Sequence, residues 1–219
     1  MIDIVREIDA IHRSVGTAPL GDGEGHAVRI SRTYDSPIED VWDALTTPER
    51  ISRWFLPISG DYRLGGRYQL EGNAGGEILS CEGPNRLRVT WAYGDPTAPP
   101  SEVDVRLTPA GEGSTLLEMQ HIAIVPEEFW SEYGPGAVGV GWEGAALGLA
   151  LHLSGGSIGD PVAWQLSDEG REFAKRGSVA WGAAMEAAGA SPEAAAKAVA
   201  NTTAFYAPPA AAQETPVSS

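Results

Sequence analysis

Few residues in this chain could do chemistry, and they are scattered. The four histidines, His12, His26, His121 and His152, include no close pair and no His-Glu-x-x-His spacing. A zinc site would have to be assembled entirely by folding, so no metal is expected. No Gly-x-Gly-x-x-Gly follows a strand and no Walker loop is present, so no nucleotide cofactor is expected. Cys81 is the only cysteine, which excludes an intramolecular disulfide and a thiolate metal cluster. It falls on or near a strand and reads as an inert core residue. His121 is the most interesting single residue. It ends an inward-looking strand face, where a neutral imidazole could exchange one hydrogen bond with a ligand or simply be satisfied by a backbone carbonyl. A proton-transfer role would require a perturbed pKa and a polar substrate in reach.

The aromatic residues point to binding. The chain has seven tryptophans, and Trp54, Phe55, Tyr68, Trp91, Trp130 and Trp142 fall on elements able to wall one cavity. An indole offers a large apolar face and a single N–H donor. With His121, and with Leu149 on the last helix of this set, they form the candidate lining of a mostly apolar pocket. Charge narrows the partners. Thirty acidic residues against fifteen basic ones give a net charge of -15, with no Lys or Arg between Arg106 and Arg171. Nucleic acid and anionic membranes would be repelled. The first residues are too charged for a signal peptide, and no stretch of 18 uncharged apolar residues occurs, so the expected compartment is the cytoplasm.

The positioning elements follow from periodicity. Ile4, Ile8, Ile11 and Val15 predict a one-faced helix over residues 1–16, followed by a connector to Gly25. Alternation over 27–34 predicts a strand. Ser36, Pro37 and Glu39 then read as N-cap, N1 and N3 of a helix carrying Ile38, Val41, Trp42 and Leu45. Thr47-Pro48-Glu49 opens a second short helix, stopped by Pro57. Gly65-Gly66 and Gly75-Gly76 are placed at turns. Tyr68 and Leu70, then Leu87, Val89 and Trp91, then Val103, Val105 and Leu107, and finally Thr115, Leu117, Met119 and His121 each share one strand face. Gly- and Pro-bearing turns separate these segments with no helical crossover, which predicts an antiparallel meander. A long helix is expected from about Val140 to Leu153, and residues 156–207 form an alanine-rich annex. Its helices are expected from Ser167 to Arg176, from Ser178 to Gly189 and from Ser191 to Tyr206. Such helices make poor independent cores, so the annex should pack on the main body or on a second copy in a homodimer. Residues 208–219 are expected to be a disordered tail.

The run Ser31-Arg-Thr-Tyr-Asp-Ser-Pro-Ile-Glu-Asp-Val-Trp-Asp-Ala-Leu-Thr-Thr-Pro-Glu-Arg-Ile-Ser-Arg-Trp-Phe resembles the opening of the START-like (SRPBCC, Bet v 1-like) superfamily. More narrowly, it is similar to the branch related to the C-terminal domain of the activator of the Hsp90 ATPase. Gly65-Gly66-Arg67-Tyr68, Gly76-Glu77-Ile78-Leu79, Arg86 to Trp91, Thr115 to His121 and Gly141-Trp142 extend the likeness over residues 26–154. The resemblance implies an α+β helix-grip fold, a curved antiparallel sheet around a long C-terminal helix, in a domain spanning 26–155. It implies a cavity for a small apolar ligand. Cyclase-like or hydrolase-like chemistry there, with His121 or an acidic group as base, and a protein-interaction or chaperone-cofactor role are the alternatives.

Overall fold

The computed structural model describes residues 2–94 and 101–208. The turn expected at Pro96 to Pro100 lies outside them, as does the expected tail beyond Pro208. The element order is α1 (Ile4–Asp9), β1 (His12–Leu20), β2 (Gly23–Tyr34), α2 (Ile38–Thr46), α3 (Pro48–Trp54), β3 (Ile58–Gly60), β4 (Arg67–Leu70), β5 (Gly75–Glu82), β6 (Arg86–Thr90), β7 (Ser101–Pro109), β8 (Thr115–Ala123), α4 (Glu127–Tyr133), α5 (Gly136–Leu153), α6 (Pro161–Leu166), α7 (Asp168–Ala187) and α8 (Pro192–Tyr206).

The strands form one eight-stranded antiparallel sheet in the order β1-β2-β8-β7-β6-β5-β4-β3. Its inner face is the one that the period-two pattern predicts. Val28 and Ile30, Leu117 and Met119, Val103 and Leu107, and Val89 are buried together against α5 residues such as Ala146 and Leu149. The fold is therefore the expected α+β helix grip.

Several local expectations fail for identifiable reasons. The helix predicted over 1–16 ends at Asp9, and residues 12–20 are the edge strand β1, paired from His12↔Ser31 to Leu20↔Gly23. Ile11 and Val15 are four apart, a spacing that puts side chains on one face of a helix or of a strand alike. The predicted connector is thus most of a hairpin, turning at Gly21. Ser36 does not cap α2. The N-cap is Pro37, without a side-chain bond, and Ser36 Oγ donates instead to Asp40 at 2.6 Å. Gly75 and Gly76 begin β5 rather than a turn. In the annex, the two helices predicted on either side of Gly177 are one, α7, and Ser178 Oγ bonds the Ala174 carbonyl (2.8 Å) inside it.

α5 is gripped from both sides. One face meets the sheet; the other, carrying Gly139, Glu143 and Leu147, meets α1 and the annex. A Cβ on Gly139 would lie 2.2 Å from the Trp181 ring of α7, so only glycine admits that indole. Next to this contact, fully buried Glu143 forms an ion pair with Arg13 of β1, itself 9% exposed. The remaining guanidinium nitrogens donate to the carbonyls of Ile11 (2.6 Å) and Ile8 (3.1 Å), so Arg13 also secures the end of α1. Burial pushes the Glu143 pKa up, while the Arg13 charge pulls it down. Trp181 is buried in the same core as the sheet residues, so the annex and the grip share one interior.

Breaking a buried pair from one side strands a charge, at a cost of about 3–5 kcal/mol. Arg13→Met is expected to lose that much in urea unfolding. Arg13→Met combined with Glu143→Leu should be the more stable of the two, because no charge is left uncompensated.

Candidate functional site

The sheet and α5 do not close completely on each other. Between them, under α2 and α3, lies a cavity of about 170 Å³. Its walls include Leu45 and Ile51, Trp54 and Phe55, Ile58 and Tyr68, Ile78, Val89 and Trp91, Val103 and Val105, and Trp142. Each wall follows from a local rule. Thr47-Pro48 starts α3, which delivers Trp54 and Phe55 at its end. Gly148 lets α3 approach α5 closely, since a Cβ there would lie 2.6 Å from the Trp54 carbonyl. Strand alternation points Tyr68, Val89, Val103 and Val105 inward.

The aromatic walls are arranged around Trp91. Its ring centre lies 4.9 Å from that of Trp142, 6.3 Å from Tyr68 and 6.5 Å from Phe55. The polar tips of these side chains are all turned into the protein. Trp54 Nε1 donates to the Ala44 carbonyl (3.0 Å), Tyr68 Oη to the Thr90 carbonyl (2.8 Å) and Thr46 Oγ1 to the Trp42 carbonyl (2.7 Å). Trp91 Nε1 reaches Tyr93 Oη at 3.4 Å. The cavity therefore receives ring faces and methyl groups. Tyr62, 42% exposed, and Cys81 mark its mouth.

Trp142 holds the key to His121. Its Nε1–H donates to His121 Nδ1 at 3.0 Å. An indole can only donate, so Nδ1 is the bare nitrogen and the proton sits on Nε2, 2.7 Å from Ser101 Oγ. Burial lowers the His121 pKa to about 4, so the ring is neutral at pH 7. A nucleophilic serine needs the reverse arrangement, with the imidazole accepting its proton. Here Nε2 is occupied as a donor and Nδ1 as an acceptor. Ser101–His121–Trp142 is a closed polar chain behind the wall, with no free base.

Five of the eight candidate residues, Trp54, Phe55, Tyr68, Trp91 and Trp142, come together at the cavity. The other three stand apart. His121 is behind Trp142. Leu149 is buried in the core away from the lining. Trp130 of α4 is stacked on His26, with ring centres 3.8 Å apart. His152 bonds Arg50 at 3.3 Å, and burial, reinforced by the Arg50 and Arg53 charges, lowers its pKa. Cys81 is exposed, not a core residue: it pairs with Leu87 near the end of β5, where the cavity opens. Glu71 and Glu118 face solvent and Glu77 is half-buried, all outside the lining. Gly155-Gly156-Ser157-Ile158-Gly159 has the spacing of a nucleophile elbow, but it follows a helix and Ser157 is exposed. Among the described residues, no group of His, Cys, Asp or Glu is arranged to hold a metal, and no helix is long and apolar enough to cross a membrane.

The sequence pattern of one family, described as Activator of Hsp90 ATPase homolog 1-like protein, matches residues 35–153. The chain belongs to that family. Family and fold make it a START-like, Bet v 1-like domain of the ligand-binding type. Among solved structures it is similar to CalU16 from Micromonospora echinospora. The crystal structure is 38% identical, with a TM-score of 0.63 over 81% of this chain and 99% of that one. The solution structure gives 38% and 0.67 over 82% and 97%. MLL2253 from Mesorhizobium loti is 27% identical, with a TM-score of 0.51 over 58% and 96%. No curated protein matches.

The His121 chain predicts a pH dependence. The unfolded histidine takes its proton near 6.5 and the folded one only near 4. Its contribution to stability is therefore complete above pH 6.5 and is lost as pH falls towards 4. Between pH ~7.5 and ~4.5 the wild-type protein should lose roughly 2–3 kcal/mol more than His121→Phe in urea unfolding. Parallel losses would contradict the assignment.

Proposed function

We propose that this protein binds a small apolar molecule carrying one ring in the cavity walled by Trp54, Phe55, Tyr68, Trp91 and Trp142. The observation that carries this reading is the outward turn of the walls' hydrogen-bonding groups, each already engaged by the protein. A guest finds no donor or acceptor inside, so a polar group carried there goes unpaired, at a cost of about 1–3 kcal/mol. Size gives a second limit. An apolar cavity of roughly 150 Å³ holds benzene, so 170 Å³ suits a single substituted ring rather than a long acyl chain or a steroid. Binding comes from removing ring surface from water at roughly 25 cal/mol per Å² and from stacking against Trp91 and Trp142.

Cyclase-like or hydrolase-like catalysis is the weaker reading. The occupied nitrogens of His121 count against the base that such chemistry requires.

Toluene and phenol are nearly the same shape and test the reading. Followed by tryptophan fluorescence, toluene should bind about tenfold or more tightly than phenol, the cost of one unpaired hydroxyl. Val105→Phe, which fills the cavity from β7, should abolish toluene binding while leaving the unfolding transition cooperative. Equal affinities, or toluene binding unaffected by Val105→Phe, would count against an apolar guest in this cavity.

A further inference from the structure

A second pocket, sharing no residue with the first, lies where α1, the end of β2 and the end of α5 meet. It encloses about 320 Å³. Arg32 lines it from β2, Arg6 and Glu7 from α1, and Ala150, Leu151 and Leu153 from α5. Arg32 points to the inner side of the sheet and is only 9% exposed. Glu7 Oε2 accepts from one of its nitrogens, Nη2, at 2.6 Å. Nε and Nη1 are buried and have no hydrogen-bond partner among the described residues. The Tyr34 ring, 5.3 Å from the guanidinium carbon, offers a π face but no acceptor in the guanidinium plane. Two unpaired N–H donors on a charged group thus lie just behind the wall of a pocket that carries a second arginine, within reach of a guest once Arg32 shifts.

We propose that this pocket binds a small organic monocarboxylate, with its oxygens on Arg32 and its short hydrocarbon part against Leu151 and Leu153. Guanidinium donors accept only acceptor atoms, and a carboxylate oxygen gives the strongest hydrogen bond of that kind. Glu7 and Asp35 also line the pocket and balance Arg6 and Arg32, and α5 ends there with the negative pole of its dipole. Attraction therefore comes from the two unpaired donors and not from net charge, and a dianion such as phosphate is repelled more than a monoanion. The apolar walls favour an acid with a few carbons over formate-like ions. Glu7 competes for the same guanidinium, so the guest enters by drawing Arg32 away from its internal carboxylate.

The test is a sodium butyrate titration at pH 7 and constant ionic strength, read at the Arg32 side-chain Nε–H by NMR, with chloride and phosphate as controls. A saturable shift with a dissociation constant on the order of 1–10 mM is expected from butyrate alone. Arg32→Lys keeps the charge but not the paired donors, and should remove the response in the backbone amides around Leu151. Arg6→Gln, an exposed change that leaves the ion pair intact, should weaken binding several-fold. Glu7→Gln removes the competitor and should tighten it several-fold. The proposal is overturned if butyrate produces no saturable shift, if chloride or phosphate reproduces it, or if Glu7→Gln leaves the affinity unchanged.

Discussion

The structure depends on one buried ion pair, Arg13 with Glu143. An edge strand, a short N-terminal helix, the long central helix and the annex converge on it. A fully buried carboxylate on α5 is tolerable only with a compensating cation, and Arg13 supplies that cation while spending its other nitrogens on two carbonyls. The pair therefore fixes where α5 lies along β1, and so how far α5 stands from the sheet. Hydrophobic contact alone would let the helix slide until the gap closed. A paired charge in a low-dielectric interior does not slide, because every shift exposes an uncompensated group.

Held in that position, α5 presents Trp142 to the sheet, and the cavity is the space that Trp142, Trp91 and the α3 aromatics do not fill. The same tryptophan orders the polar chain behind it. By donating to Nδ1 it fixes the His121 tautomer, and the tautomer denies Ser101 a base. One side chain thus serves both as cavity wall and as the donor that sets the tautomer of the serine–histidine pair. Burial adds to this by keeping His121 uncharged at neutral pH.

Much of the sheet was legible because its inner face alternates cleanly. Val28 and Ile30, Leu87 and Val89, Val103 and Val105, and Leu117 and Met119 leave only one way to bury the apolar set. Tyr68 and Trp91 follow from the same alternation, whereas Trp54 and Phe55 at the end of α3 and Trp142 on α5 are brought to the cavity by helices. What could not be read were features depending on residues far apart in sequence. Glu143 stands in a glycine- and alanine-rich helix where an isolated carboxylate looks solvent-facing, and its partner is 130 residues away. Trp130 stands beside Phe129 and Tyr133 like a pocket residue, yet His26 claims its ring. Gly177-Ser178 looks like a helix break, but it lies where the Glu143 side chain packs against α7, and burial there overrides weak helix propensity. Ile11 and Val15 illustrate the ambiguity of a four-residue spacing, which only pairing with β2 resolves.

The most direct test of the account is to locate a bound ring inside the protein. Isotope-filtered NOE spectra of unlabelled toluene with labelled protein would report which side chains it touches. The account predicts contacts from the toluene ring to Trp91, Trp142, Phe55 and the methyl groups of Val89 and Val103. Contacts confined to the exposed aromatics Phe129 and Phe205, or none at all, would contradict a guest held between the sheet and α5.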